Sequence, residues 1–346
     1  MLGLAGIPLG HEFTFLEPSV DPPAGAVGEV IRSPYDDEGA LDDLAERCDV
    51  VTYEFENVPV TAARRLADRV PVLPAPQALE IAQDRVAEKS LFGSAGIPTA
   101  RFEPAGSPKE LHDALTTIGS PAVVKTRREG YDGKGQMTVT ASTDERDLWK
   151  SLGEVPLLVE ERIDFEREVS LLAVRGSGNN TAFYPLVENS HRDGILRMSL
   201  APARGIDAEL QAKAERYVAA LLEALGYVGV MAVEFFERDG SLLANEIAPR
   251  VHNSGHWTIE GAVCSQFENH LRAVLGLPLG STAAVGESVM VNLIGSVPVL
   301  ADLLKLRGAH VHLYDKAARP GRKLGHVTLV DADPSDVEAA IALAGA

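Results

Sequence analysis

Residues 123–139, VVKTRREGYDGKGQMTV, set the reading of this chain. Two β-rich runs flank a segment that carries Gly130, Gly133 and Gly135. No GK[ST] opens a helix here, which excludes a Walker loop. No helix follows the glycines, which excludes a dinucleotide-binding fingerprint. A strand–loop–strand of this composition can fold over phosphates. Glycine lets backbone N–H groups approach the oxygens closely, and Lys134 adds a point charge. Lys125 stands mid-strand in an apolar run and calls for an anionic partner, since burying an unpaired charge is costly. Taken alone, the segment also fits a flexible hairpin with an exposed lysine.

Outward from this segment, SPKE at 107–110 reads as a helix start. Ser107 is the N-cap, Pro108 takes the first helical position and Glu110 completes a capping box. Residues 97–107 shift to Pro, Gly and small side chains and read as a linker. LLVEE at 157–161 closes a small α+β unit. Earlier, CDVVTYEF at 48–55 reads as a buried parallel strand, 60–69 as a helix, and VPVLPAP as a brief strand. Residues 76–95 read as one helix ending at Gly96. This is an α/β layer with a parallel sheet.

Beyond residue 166, EVSLLAVRG and TAFYPLVEN read as neighbouring strands. Residues 207–225 read as an amphipathic helix capped by Asp207 and stopped at Gly226. VGVMAVEFFE and SLLANEIAP pair around the turn Arg238-Asp239-Gly240. Residues 258–275 read as helix, with short strands near His310 and Val327 and a last helix after Pro334. The expected units are 1–97, 98–164 and 165–346.

The 346 residues suit two or three domains, and the formal net charge is −18. So acidic a surface argues against a nucleic-acid or anionic-membrane footprint. A phosphate site must be local, built from a few converging cations and backbone N–H groups. Cys48 and Cys264 lie far apart without metal-ligand spacing, so a reducing cytoplasm is expected. No apolar run approaches the ~18 residues of a membrane span.

MAVEFF carries Glu234, and LLANEIAPR carries Asn245 and Glu246. Both acids interrupt strongly apolar strands. Adjacent antiparallel strands could bring them to one side. A divalent cation would remove their repulsion, and all-oxygen ligation suits Mg2+ with nucleotide phosphates. Solvated acids on strand edges are the alternative. APRVHNSGHW follows, with Arg250, His252, Asn253 and His256 in one polar turn able to clamp a planar oxyanion. YDKAARPGRKLGH concentrates Lys316, Arg319, Arg322 and Lys323, which suggests phosphate or an ordinary basic loop.

With these stretches, and with TYEFENVP, FYPLVENSHRDGIL and GYVGVMAVEFF, the chain resembles the ATP-grasp ligases from about residue 50 to 330. More narrowly, it resembles the 5-(carboxyamino)imidazole ribonucleotide synthases of purine biosynthesis. The resemblance implies an ATP-grasp fold behind an N-terminal parallel-sheet (pre-ATP-grasp) domain, with a small C-terminal β-rich subdomain. It implies ATP at Arg85, Lys125, Gly130, Tyr131, Asp132, Gly133, Lys134, Gly135, Gln136, Glu160, Glu161, Arg162, Ile163, Glu168, His191, Asn245 and Glu246. Mg2+ would lie on Glu234 and Glu246. Bicarbonate would meet Arg250, His252, Asn253 and Lys323. The 5-aminoimidazole ribonucleotide would meet Tyr131, Asp132, Lys316 and Arg322. Asp132, Arg250 and Lys323 are the expected catalytic residues, and a homodimer the expected assembly. Glu54 and Glu56 would border the substrate.

The family opens with a strand and a GxGQLG-type turn, whereas this sequence starts at MLGLAGIPLG, inside the helix that follows. That turn helps hold the ribonucleotide phosphate in the family. The expectation for a chain without it is ordinary ATP affinity and weak ribonucleotide affinity. Another ATP-grasp acceptor, or an ATP-binding homologue without turnover, are the competing readings.

Overall fold

The computed structural model describes residues 1–130, 135–178 and 180–346. The N-terminal layer runs α1 (Leu2–Gly6), β1 (Thr14–Leu16), β2 (Glu29–Ile31), α2 (Glu38–Arg47), α3 (Val60–Ala67), α4 (Pro76–Ala82) and α5 (Arg85–Ser94). β1 and β2 pair in parallel, and Val51 forms a single parallel bridge to Val72. Leu16, Ile31, Val51 and Val72 share one apolar cluster with Leu41, Leu44 and Leu66. The strand expected over 48–55 is therefore reduced to one bridge. Its partner segment contains Pro71 and Pro74, which lack the N–H needed to extend a ladder.

The helix expected over 76–95 is two helices. Asp84 stands between them, capping α5 by accepting from Val86 N and Ala87 N. The same carboxylate takes Arg127 at 2.8 Å and Arg128 at 2.7 Å. A cap plus two ion pairs outweighs one more turn of helix.

The second unit comprises β3 (Phe102–Ala105), α6 (Pro108–Ile118), β4 (Ala122–Thr126), β5 (Gln136–Val139), α7 (Glu145–Ser151) and β6 (Leu157–Glu161). Its strands lie in the order β3-β6-β4-β5. The linker expected over 97–107 thus contains a strand. β3 is an edge strand, which is why it tolerates Pro104. Ser107 caps α6 as expected, and the Glu110 carboxylate reaches the N–H of Gly106 at 2.6 Å.

The large sheet is built from β7 (Arg167–Arg175), β8 (Thr181–Phe183), β9 (Val187–Arg192), β10 (Ile195–Ala201), β11 (Gly229–Arg238) and β12 (Ser241–Ala248), with α8 (Ala208–Ala224) packed against it. It continues past α9 (Thr258–Gly261) and α10 (Gln266–Val274) into β13 (Ser288–Ile294), α11 (Leu300–Leu303), β14 (Ala309–Leu313), β15 (Lys323–Val330) and α12 (Pro334–Ala344). The order is β12-β11-β7-β9-β10-β13-β15-β14, with β8 on β7. The helix expected over 258–275 is interrupted, because Val263 and Cys264 donate to Ala283 and Ser281 and Ser265 caps a new helix. β13 escapes sequence reading because it is buried on both faces and shows no alternation.

One contact set positions the site. β12 is an edge strand, and α5 with the segment after it seals that edge. Ala244 N donates to Pro98 O at 2.7 Å, Thr99 Oγ1 donates to Ala244 O at 2.7 Å, and Ile247 N donates to Glu88 Oε1 at 2.6 Å. An open edge thereby becomes a fixed rail carrying Asn245 and Glu246.

Candidate active site

Glu234 on β11 and Glu246 on β12 are direct cross-strand partners. The register then slips, so that Phe235 faces Ala244 and Asn245 is the extra residue of a bulge. Burial and Glu246 push the Glu234 carboxyl up to about 8. Asn245 Oδ1 is buried and has no hydrogen-bond partner among the described residues. Two facing acids and an unsatisfied amide oxygen form an all-oxygen donor set, which fits Mg2+. Two carboxylates and one amide oxygen leave positions of an octahedral shell open to substrate or water oxygens.

These residues line a cleft of about 500 Å³ between the two larger sheets. Its walls include Arg85, Lys125, Gly130, Gln136, Glu160, Glu161, Arg162, Ile163, Glu168, His191, Glu234, Asn245, Glu246, Arg250, His252 and Asn253. Gly135, at the foot of β5, has φ +67 and would place a Cβ 2.6 Å from Thr126 Oγ1, so only glycine fits. Tyr131, Asp132, Gly133 and Lys134 lie outside the described residues.

At the phosphate end, Lys125 finds the anion its sequence position demands. Its Nζ donates to Glu160 Oε2 at 2.8 Å, while Lys89 stands 3.5 Å from Glu160 Oε1. Burial alone would raise Glu160, but Lys125, Lys89 and Arg85 bring it down to about 2. Arg85 reaches Glu246 at 3.4 Å and the carbonyl of Gly130 at 3.2 Å. Glu88 and Lys89 escape a sequence reading that stops at motifs. The signal was present: two charges beside Phe92 on the buried face of α5. His191 lies 2.5 Å from Glu168. Burial works against its charge, yet Glu168 and Glu234 hold it above the usual histidine range.

At the other end, the turn after β12 is pinned from beneath. Gln266 accepts from His252 N at 2.9 Å and donates to His252 O at 2.7 Å. Ser170 Oγ donates to Ser254 Oγ at 2.8 Å. A Cβ on Gly255 would lie 2.1 Å from Leu172, so the turn must pass as glycine. Arg250 pairs with Glu56 at 2.7 Å, which brings the N-terminal layer to the cleft. Burial and the neighbouring Arg250 keep His252 well below its usual range, hence neutral. Lys323 donates to Asn253 Oδ1 and lies 2.9 Å from His256 Nδ1. Lys316 and Arg322 lie beyond β14, outside the cleft lining, with Arg322 donating to Ala317 O at 3.2 Å. Glu54 accepts from Leu2 N at 3.0 Å.

Comparisons with known proteins match nearly the whole length of the chain. Residues 1–83 match the ribonucleotide synthetase preATP-grasp domain, 90–267 the ATP-grasp domain, and 288–340 the phosphoribosylaminoimidazole carboxylase C-terminal domain. The N5-carboxyaminoimidazole ribonucleotide synthase of Pseudomonas aeruginosa is 53% identical over 342 residues, covering 99% of this chain and 94% of that protein. The crystal structure of the Thermus thermophilus synthetase superposes with TM-score 0.94 at 56% identity, over 99% of this chain and 93% of the other. The Aspergillus clavatus enzyme, solved with ADP and 5-aminoimidazole ribonucleotide, gives TM-score 0.90 at 31% identity, over 99% and 93%. The chain belongs to the N5-carboxyaminoimidazole ribonucleotide synthases, ATP-grasp ligases of purine biosynthesis.

Proposed function

We propose the following division of labour for the family's reaction, the ATP-dependent carboxylation of 5-aminoimidazole ribonucleotide by bicarbonate. The observation that carries it is a single cleft with a facing acid pair at one end and the Arg250–Asn253 turn at the other. Arg85, Lys125, Gly130, Gly135 and Gln136 hold the ATP phosphates. Glu160 to Ile163 line the adenine, and Glu168 with His191 borders the ribose. The resemblance assigns Tyr131, Asp132, Gly133 and Lys134 to ATP as well. Glu234 and Glu246 would hold Mg2+, with Asn245 beside them; the ion supplies charge neutralisation for the phosphates.

Arg250, His252, Asn253 and Lys323 fix bicarbonate. A bicarbonate oxygen attacks the γ-phosphorus, the bond from phosphorus to the ADP oxygen breaks, and carboxyphosphate forms. The ribonucleotide amine then bonds to the carboxyl carbon, directly or after CO2 release. The carbon–oxygen bond to phosphate breaks and the amine gives up a proton. Two anions must meet, so Lys125 and Arg250 lower the charge between them. Asp132 orients or deprotonates the amine, with Tyr131, Lys316 and Arg322 on the ribonucleotide. If Asp132→Asn kept full ligation and lost only ATP affinity, that role would be wrong.

The three units are 1–97, 98–164 and 165–346. Among the described residues no helix is long and apolar enough to cross a membrane. Two free cysteines support a reducing cytoplasm, and the family resemblance supports a homodimer. Omission assays test the reading. ADP release should require both bicarbonate and the ribonucleotide for full rate; release driven equally well by formate or an amino acid would refute it.

A further inference from the structure

Behind Lys323 lies a buried group that the reaction scheme leaves unused. The Tyr314 hydroxyl lies 3.0 Å from His256 Nδ1 and 2.5 Å from His326 Nδ1. His256 Nδ1 is in turn 2.9 Å from Lys323 Nζ, and Lys323 donates to Asn253 on the bicarbonate turn. His326 is fully buried and stacks on His312 at 4.6 Å with 13° between the rings. His312 is anchored by Glu260 at 2.6 Å. The Tyr314 ring meanwhile carries a lysine ammonium at 5.5 Å from its centroid twice: Lys316 and Lys323. Its backbone is fixed by donation from Tyr314 N to Leu324 O at 2.9 Å.

We infer that Tyr314 is a positioning residue that sets both substrate-facing lysines: Lys323 through its hydroxyl and His256, and Lys316 through its ring face. The chemistry favours a rigid spacer. Lysine can only donate, so His256 Nδ1 is an acceptor shared by Lys323 and the hydroxyl, and the hydroxyl in turn accepts from the Nδ1–H of His326, which locks both ring tautomers. Burial holds His256 and His326 well below the usual range, so both stay neutral, and burial keeps the Tyr314 hydroxyl protonated. A neutral relay leaves the positive charge on the lysines, where the anionic substrates need it. A cation over an aromatic face gains electrostatic attraction and a fixed height above the ring. One side chain thereby fixes the spacing between the carbonate and ribonucleotide cations.

This inference rests on the substrate assignments of Lys323 and Lys316 proposed above, and the test separates the two. Tyr314→Phe keeps the ring and removes the hydroxyl. It should raise the bicarbonate KM by about three- to tenfold, the worth of one hydrogen bond, and leave the ribonucleotide and ATP KM within about twofold. Tyr314→Leu removes both and should raise the bicarbonate and ribonucleotide KM together. In a Lys323→Ala background, Tyr314→Phe should add nothing, because the hydroxyl acts through that lysine. Thermal melting of each variant identifies loss of fold, and Tyr314→Phe is the variant that keeps the packing. If Lys323→Ala and Lys316→Ala change neither substrate's KM, the assignments are wrong. If they do, but Tyr314→Phe changes nothing or raises all three KM values equally, this inference is overturned.

Discussion

The two ends of the cleft solve opposite charge problems. At the phosphate end the excess is negative: Glu88, Glu168, Glu234 and Glu246 crowd together, and Glu88 and Glu234 are each pushed up to about 8, by burial first and by Glu246 second. At the carbonate end the excess is positive. Arg250 pairs with Glu56, and Lys323 donates to Asn253 and lies 2.9 Å from His256 Nδ1. One end is shaped to take a cation, the other to take anions. The lesson is that the facing acids carry the complement of a metal's charge and the turn that of an anion's, while Lys89 and Lys125, sharing the one carboxylate of Glu160, set cations beside the acids at the phosphate end.

The largest way to break this comparison is to unpair the buried cations Lys89 and Lys125. Glu160→Gln leaves two buried ammonium groups facing a neutral amide and should cost about 3–5 kcal/mol of stability, read by denaturant unfolding. The same carboxylate sets a pH dependence. Its folded value, about 2, lies below the ordinary value of 4.5. Its contribution is present above pH ~4.5 and is lost as pH falls toward ~2. Glu160→Gln should therefore flatten the acid limb of the melting profile; an unchanged limb would contradict the assignment.

Next, Glu246→Ala or Glu234→Ala should reduce ADP release by at least about a hundredfold, since loss of groups merely supporting a metal ligand already costs 10–100-fold. Melting with and without added MgATP gives an independent reading. The parent chain should be stabilised and the variants should not.

Arg250→Lys sharpens the other end. It keeps the charge and loses the planar fork, so the bicarbonate KM should rise about tenfold while the ATP KM stays put. A rise in the ATP KM alone would place Arg250 with the phosphate end. The smallest effect is expected at the seam: Asp84→Ala removes a helix cap and should cost about 1–2 kcal/mol, measured as a lower unfolding midpoint.

Much of this comparison was legible in the sequence where chemistry and pattern coincide. Glu234 and Glu246 each interrupt an apolar run, and the turn at Asp239 and Gly240, both at positive φ, brings the strands into register. Lys125 announced a buried anion, and Glu160 supplies it. What stayed hidden depends on long-range partners. Asp84 reads as helix interior until Arg127 and Arg128 arrive from the second unit. β13 shows no alternation because both of its faces are covered. Tyr314 reads as the start of a basic loop, and only pairing of β14 with β15 sets it against His326 and the His256 turn.

The most direct test of a cleft that joins the two ends is oxygen transfer. When bicarbonate labelled in its oxygens is turned over with ATP and the ribonucleotide, the attacking oxygen must leave with phosphorus. The account predicts one labelled oxygen in the released phosphate for each carboxylation. Phosphate free of label, formed at the same rate as product, would contradict it.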